Sequence, residues 1–171
     1  KNLKYILSCR GGVENIDMEA AKEKGVKVIN CPAHNAYAVA EYTIGMILNE
    51  LRNITRACMA LKSGEWREKY QNSETLTEVR SQTIGIIGFG TIGRLVVERL
   101  KGFHPTILVN DPFADEDKIR EEGCKPVTKE ELLKRSDVVT IHARINAGDP
   151  PIIGKEEFGQ MKETAYLINT A

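Results

Sequence analysis

The chain has 171 residues, 42% hydrophobic and 28% charged, with 24 Lys and Arg balancing 24 Asp and Glu. That length supports a full core in one or two domains, and zero net charge supplies no field to draw in nucleic acid or an anionic membrane. No apolar run approaches the ~20 residues needed to cross a bilayer, and four cysteines far apart, Cys9, Cys31, Cys58 and Cys124, with no Cys-x-x-Cys and no paired histidine, indicate neither a metal site nor a redox motif.

Residues 3–7 read as a short strand and the glycine-rich stretch 8–12 as the turn after it. Asp17 is placed to cap a helix over 18–24 that stops at Gly25, and residues 26–30 form the next strand, giving a parallel strand–helix–strand crossover. Residues 31–35 are a loop. From Ala36 onward, Ala40, Ile44, Ile47, Leu48, Leu51, Ile54, Cys58 and Leu61 recur at three-to-four spacing. This predicts one helix over 36–62, about 40 Å long at ~1.5 Å per residue, whose stripe either packs in a core or bridges to a second domain or subunit. Gly64 ends it, and Trp66 with the polar residues 67–80 reads as an arm or extended loop.

The chain is organised around residues 83–93, Thr-Ile-Gly-Ile-Ile-Gly-Phe-Gly-Thr-Ile-Gly, a β-branched strand that breaks into Gly-x-Gly-x-x-Gly and continues as a helix with apolar Ile92, Leu95, Val96 and Leu100. Gly88 permits the tight turn, Gly90 lets backbone approach a pyrophosphate, and Gly93 lets helix and strand pack closely. The N–H groups at the helix start receive the anion. A second apolar strand over 106–110 ends in Asp111, 18 residues beyond Gly93, near the ~20-residue offset at which an acid reaches the adenosine ribose. Glycines, helix, strand and acid in that order point to a dinucleotide.

Residues 115–122 look helical up to Gly123, and Thr128-Lys129-Glu130-Glu131 is a capping box opening a helix over 130–134. Residues 137–142 are another buried strand, ending in His142 on the side of a parallel sheet where ligands bind. Phe158 and Met161 belong to a short helix, and 165–169 is the next strand. From Thr83, helices therefore alternate with at least four parallel strands, an α/β doubly wound sheet of Rossmann type. With no initiator methionine and a stop at Ala171 directly after an apolar strand, the chain reads as part of a longer protein. Buried thiols in a reducing cytoplasm are the expected state of the cysteines.

These features resemble the D-isomer-specific 2-hydroxyacid dehydrogenases over essentially the whole chain. The resemblance is carried by Arg10-Gly11-Gly12-Val13-Glu14-Asn15-Ile16-Asp17, Asn35-Ala36-Tyr37-Ala38-Val39-Ala40-Glu41, Gly64-Glu65-Trp66, the glycine motif, Asp111-Pro112, the strand ending in His142, and Met161-Lys162 through Asn169-Thr170-Ala171. It implies that residues 1–34 are the last part of the first segment of a flavodoxin-like substrate domain. Residues 35–171 are then an NAD-binding domain led by a long interdomain helix and cut short at its C-terminal end. It further implies that Arg10, Gly11 and Gly12 lie at the substrate carboxylate, although a glycine pair is also an ordinary tight turn, and that Asn35 places an amide over the substrate, unless it caps the helix that follows. Gly88, Gly90, Thr91, Ile92 and Gly93 would meet the pyrophosphate, Asp111 the ribose, His142 and Ala143 the adenosine side, and Thr170 and Ala171 the nicotinamide.

The implied activity is hydride transfer between NAD and a D-2-hydroxy or 2-keto acid of the phosphoglycerate, glyoxylate or sugar-acid type, in a cytoplasmic homodimer joined through the long helix and the Trp66 arm. The family's catalytic arginine would directly follow Ala171, and its glutamate and histidine lie beyond, so the segment alone is expected to be inactive. Pro112 and Phe113 offer no cation after Asp111, which favours NAD over NADP. Arg144 stands where many members have proline, as a surface charge or as a group near the cofactor. A non-catalytic, NAD-sensing corepressor on the same fold is the rival of another class.

Overall fold

The structure, a computed structural model, describes residues 2–65, 71–145 and 148–171. Its contacts divide between Tyr37 and Ala38. The first unit holds β1 (Tyr5–Ser8), α1 (Met18–Glu23) and β2 (Lys27–Asn30), with β1 and β2 parallel and in register from Tyr5 with Lys27 to Ser8 with Asn30. Asp17 accepts the Ala20 N–H at 2.9 Å, and Gly25 turns the chain at φ +64°. This is the crossover that the sequence predicts.

Helix α2 (Ala36–Arg52) leads into the second unit, followed by α3 (Ile54–Lys62). The single helix expected over 36–62 is thus two helices. The break is at Asn53, which sits in the left-handed region at φ 55°, a conformation that asparagine tolerates better than most side chains. Local bonds hold it there. Asn53 is buried and donates to the Gln71 carbonyl at 2.8 Å, while Asn49 Oδ1 accepts the Thr55 N–H at 3.0 Å and so caps α3 from the preceding helix.

A short 3-10 turn over Val79–Ser81 precedes β3 (Thr83–Ile87), α4 (Thr91–Leu100), β4 (Thr106–Asn110), α5 (Glu116–Glu121), β5 (Lys125–Pro126), α6 (Lys129–Arg135), β6 (Val138–Ile141), α7 (Lys155–Gln160) and β7 (Tyr166–Asn169). The strands form one parallel sheet in the order β5-β4-β3-β6-β7. Strand β5 escapes the sequence pattern because it is two residues long and half proline, which suits only an edge. Along β3 the side chains alternate between layers. Ile84 and Ile86 join Ile47, Leu51, Val96, Val97 and Leu100 on one face, and Ile87 joins Leu132, Leu133 and Val139 on the other. Helices therefore cover both faces, as a doubly wound sheet requires.

Two further expectations need correction. Only half of the capping box forms: Thr128 accepts the Glu131 N–H at 3.2 Å, but the Glu131 carboxylate pairs with Arg135 one turn on. Of the cysteines only Cys124 is buried, where desolvation pushes its thiol up to about 11. Cys9 and Cys31 lie just past β1 and β2, and Cys58 lies on α3; all three are exposed. Trp66 and residues 67–70 of the expected arm lie outside the described residues. No helix among the described residues is long and apolar enough to cross a membrane.

Candidate functional site

Parallel strands put all their C-terminal ends at one edge, and β3 lies at the centre of it. Gly88 turns the chain there at φ +94°, its N–H held by the Asn110 carbonyl at 2.9 Å. A Cβ on Gly88 would strike the backbone of His142 and Ala143, and one on Gly93 would strike the Gly88 carbonyl oxygen. A Cβ on Gly90 would meet nothing within 4 Å. Two glycines thus make close packing possible, and the third faces open space. Gly90 is also the N-cap of α4 and has no side-chain cap, so the first-turn N–H groups of Thr91, Ile92 and Gly93 have no intrahelical partner. This is the arrangement an anionic diphosphate fills.

Asp111 is tied into the same loop. Its Oδ2 accepts the Phe89 N–H at 2.6 Å and its Oδ1 accepts the Phe113 N–H at 2.9 Å. Each carboxylate oxygen keeps a further lone pair for a hydroxyl. The loop is braced from below by Arg94, which donates to the Phe89 carbonyl at 3.1 Å and lies 4.7 Å from the centre of the Phe89 ring. Asn110, Asp111, Glu116, Thr128 and Glu131 help line a cavity of about 380 Å³ beside the strand ends, with no lysine or arginine in its wall among the described residues.

His142 leaves β6 with its N–H on the Ile87 carbonyl at 2.7 Å. Burial pushes its imidazole down to about 4, so the ring is neutral near pH 7. Its Nε2 lies 3.0 Å from the hydroxyl of buried Thr140, and its Nδ1 is buried with no partner among the described residues. If Nε2 carried the proton, both the Thr140 proton and the Nδ1 lone pair would be orphaned. With Thr140 donating to Nε2, only one group is left over, an Nδ1–H. In that tautomer the ring is neutral and its Nδ1–H faces the protein interior. Ala143 is partly buried, and Arg144 beyond it is exposed.

At the end of β7, Thr170 is partly buried, and the Ala171 N–H folds back on Asn169 Oδ1 at 3.1 Å. In the first unit, the carbonyls of Arg10, Gly11 and Gly12 accept from Cys31 N–H, Asn30 Nδ2 and Ser8 Oγ at 3.2, 2.6 and 3.1 Å. The loop spends its carbonyls inward, and neither Gly11 nor Gly12 has its N–H bonded among the described residues. The Arg10 side chain is exposed and pairs with Glu14 at 3.5 Å. Asn35 is exposed.

The structure thus gathers Gly88, Gly90, Thr91, Ile92, Gly93, Asp111, His142 and Ala143 at one strand edge, with Thr170 and Ala171 at the end of the same sheet. Arg10, Gly11 and Gly12 form a separate loop in the first unit. Sequence reasoning missed Arg94 and Thr140. Thr140 was findable, because residues i and i+2 of a strand share a face.

Comparison with known proteins gives a consistent picture. The family model described as "D-isomer specific 2-hydroxyacid dehydrogenase, NAD binding domain" matches residues 44–171. The chain is 39% identical over 173 residues to a D-3-phosphoglycerate dehydrogenase of Methanocaldococcus jannaschii, covering all of this chain and 32% of that protein. It is 37% identical to a hydroxypyruvate reductase of Thermotoga maritima, covering all of this chain and 54% of that one. Among solved structures, a D-lactate dehydrogenase of Aquifex aeolicus complexed with NAD and lactic acid superposes with a TM-score of 0.86 at 34% identity, over 99% of this chain and 50% of that one. The chain thus spans between a third and about half of the length of these relatives.

Proposed function

The chain belongs to the D-isomer-specific 2-hydroxyacid dehydrogenase family, whose NAD-binding domain it carries, and from that premise we propose that it is the cofactor half of an oxidoreductase acting on a D-2-hydroxy or 2-keto acid. The observation that carries the proposal is the open face at Gly90 beside the uncapped start of α4, with the Asp111 carboxylate next to it. NAD, when bound, supplies the hydride acceptor.

The chain's own residues bind and orient. The N–H groups of Thr91, Ile92 and Gly93 receive the diphosphate at the positive end of α4. Asp111 accepts from the adenosine ribose, with His142 and Ala143 on the adenosine side. Thr170 and Ala171 border the nicotinamide. The free N–H groups of Gly11 and Gly12 hold the substrate carboxylate, as successive backbone donors do, with Arg10 at the rim and the Asn35 amide over the substrate. The group that polarises the carbonyl and the acid/base pair belong to the arginine, glutamate and histidine that the family resemblance implies beyond Ala171.

The substrate class is a phosphoglycerate, glyoxylate or sugar acid, and the assembly a cytoplasmic homodimer formed through α2 and α3. The relatives reported above are dehydrogenases or reductases, which gives the corepressor alternative no support. Asp111 favours NAD: a 2′-phosphate would bring negative charge up to its carboxylate, while Glu116 and Glu131 in the same cavity wall are paired with Arg120 and Arg135. Titration calorimetry tests this directly. NAD should bind the chain at least about tenfold more tightly than NADP, a difference of ~1.4 kcal/mol; equal affinities would refute the cofactor assignment.

A further inference from the structure

Thr170 leaves β7 with its hydroxyl 3.0 Å from that of Thr43, 127 residues earlier on α2. Thr43 is fully buried, and its Oγ1 donates to the Val39 carbonyl, 2.8 Å away and one turn back in the same helix. A hydroxyl has one proton to give. Thr43 gives its proton to Val39, so towards Thr170 it only accepts, and the Thr170 proton is committed inward. What Thr170 has left for a ligand is lone pairs. The next residue is held as well, by the bond from the Ala171 N–H to Asn169. The exit from β7 is therefore set on both sides of Thr170 before any ligand arrives.

We infer that Thr43 is a positioning residue that makes Thr170 an obligate hydrogen-bond acceptor, so that the site selects a dinucleotide whose pyridine ring carries an N–H donor. Such an oxygen would accept the NH₂ of the nicotinamide carboxamide. A methyl ketone in the same place offers only a second acceptor, and two acceptors facing each other form no bond. This inference rests on the proposed placement of Thr170 beside the nicotinamide. Thr43 itself acts only through Thr170.

The test compares NAD with 3-acetylpyridine adenine dinucleotide, in which a methyl ketone replaces the carboxamide, by titration calorimetry on the wild-type chain, Thr43→Val and Thr43→Ser. The wild type should prefer NAD by about fivefold, the worth of one hydrogen bond. Thr43→Val keeps the side-chain shape but frees the Thr170 proton to meet the ketone, so the ratio should fall towards one. Thr43→Ser keeps the hydroxyl and should keep the ratio. If Thr43→Val does not fold, Thr170→Val replaces it and should also bring the ratio towards one. A wild-type ratio of one, a ratio unchanged in Thr43→Val or in its replacement, or a ratio lost in Thr43→Ser would overturn the inference. Failure of the wild type to bind NAD at all would instead refute the proposed function, so the two failures are distinguishable.

Discussion

The Phe89 N–H in the glycine loop donates to the Asp111 carboxylate at the end of β4, 2.6 Å away. One side chain therefore shapes the loop and, on the proposed reading, also binds the ribose. Asp111→Ala should lower NAD affinity by roughly tenfold or more, because charge-assisted bonds to hydroxyls are lost. It should also destabilise the fold by about 1–2 kcal/mol through the orphaned Phe89 amide. Calorimetric titration and thermal melts on the same preparation separate the two effects. A loss of affinity with an unchanged melting temperature would show that the loop does not need the tether.

The glycines make opposite predictions. Gly93→Ala drives a methyl into the Gly88 carbonyl oxygen and should cost about 1–3 kcal/mol by overpacking, measurable by denaturant unfolding. Gly90→Ala meets open space and should change stability by no more than ~0.5 kcal/mol, while NAD affinity falls about tenfold because the methyl stands where the diphosphate approaches. A Gly90→Ala chain that binds NAD normally would remove the diphosphate from that face.

His142 gives the pH dependence. Its folded pKa, lowered to about 4 by burial, lies below the ~6.5 of an unfolded histidine. Between these values the unfolded chain holds a proton that the folded chain does not, so stability rises with pH across that window. The contribution is fully present above about pH 6.5 and is lost as pH falls towards 4, on the order of 3 kcal/mol in total. His142→Gln should flatten this part of a plot of unfolding free energy against pH. An unchanged slope would mean that another group titrates there.

Asn53→Gly and Asn53→Ala both lose the bond to the Gln71 carbonyl, but only alanine must also hold the left-handed backbone at φ 55°, so Asn53→Ala should cost about 1 kcal/mol more than Asn53→Gly. Equal effects of the two substitutions in urea unfolding would show that the break between α2 and α3 does not depend on this residue's conformation.

The glycine motif, the strand-end acid and the alternation of helices and strands were legible because each depends on local chemistry: a positive φ at Gly88, a cap at Asp17, a period of two along β3. The features that escaped depend on tertiary partners. The helix pattern runs unbroken through Asn53 because the apolar stripe is continuous across the turn, and only the bonds to Gln71 and Thr55 reveal the break. Strand β5 has too few residues to show a period. Thr43 reads as an ordinary helix residue, since its partner lies 127 positions away. The exposure of Cys9, Cys31 and Cys58 follows from their places in the fold, not from the chemistry of thiols.

The contact between Gly88 and residue 143 is made by backbone atoms: the nearest neighbours are the Ala143 nitrogen and Cα and the His142 carbonyl carbon. The floor beneath the glycine turn is therefore main chain, and what sets it is the length of the chain there. A single residue inserted or deleted between Ile141 and Ala143 would unseat that floor, so related sequences should keep the spacing at this junction.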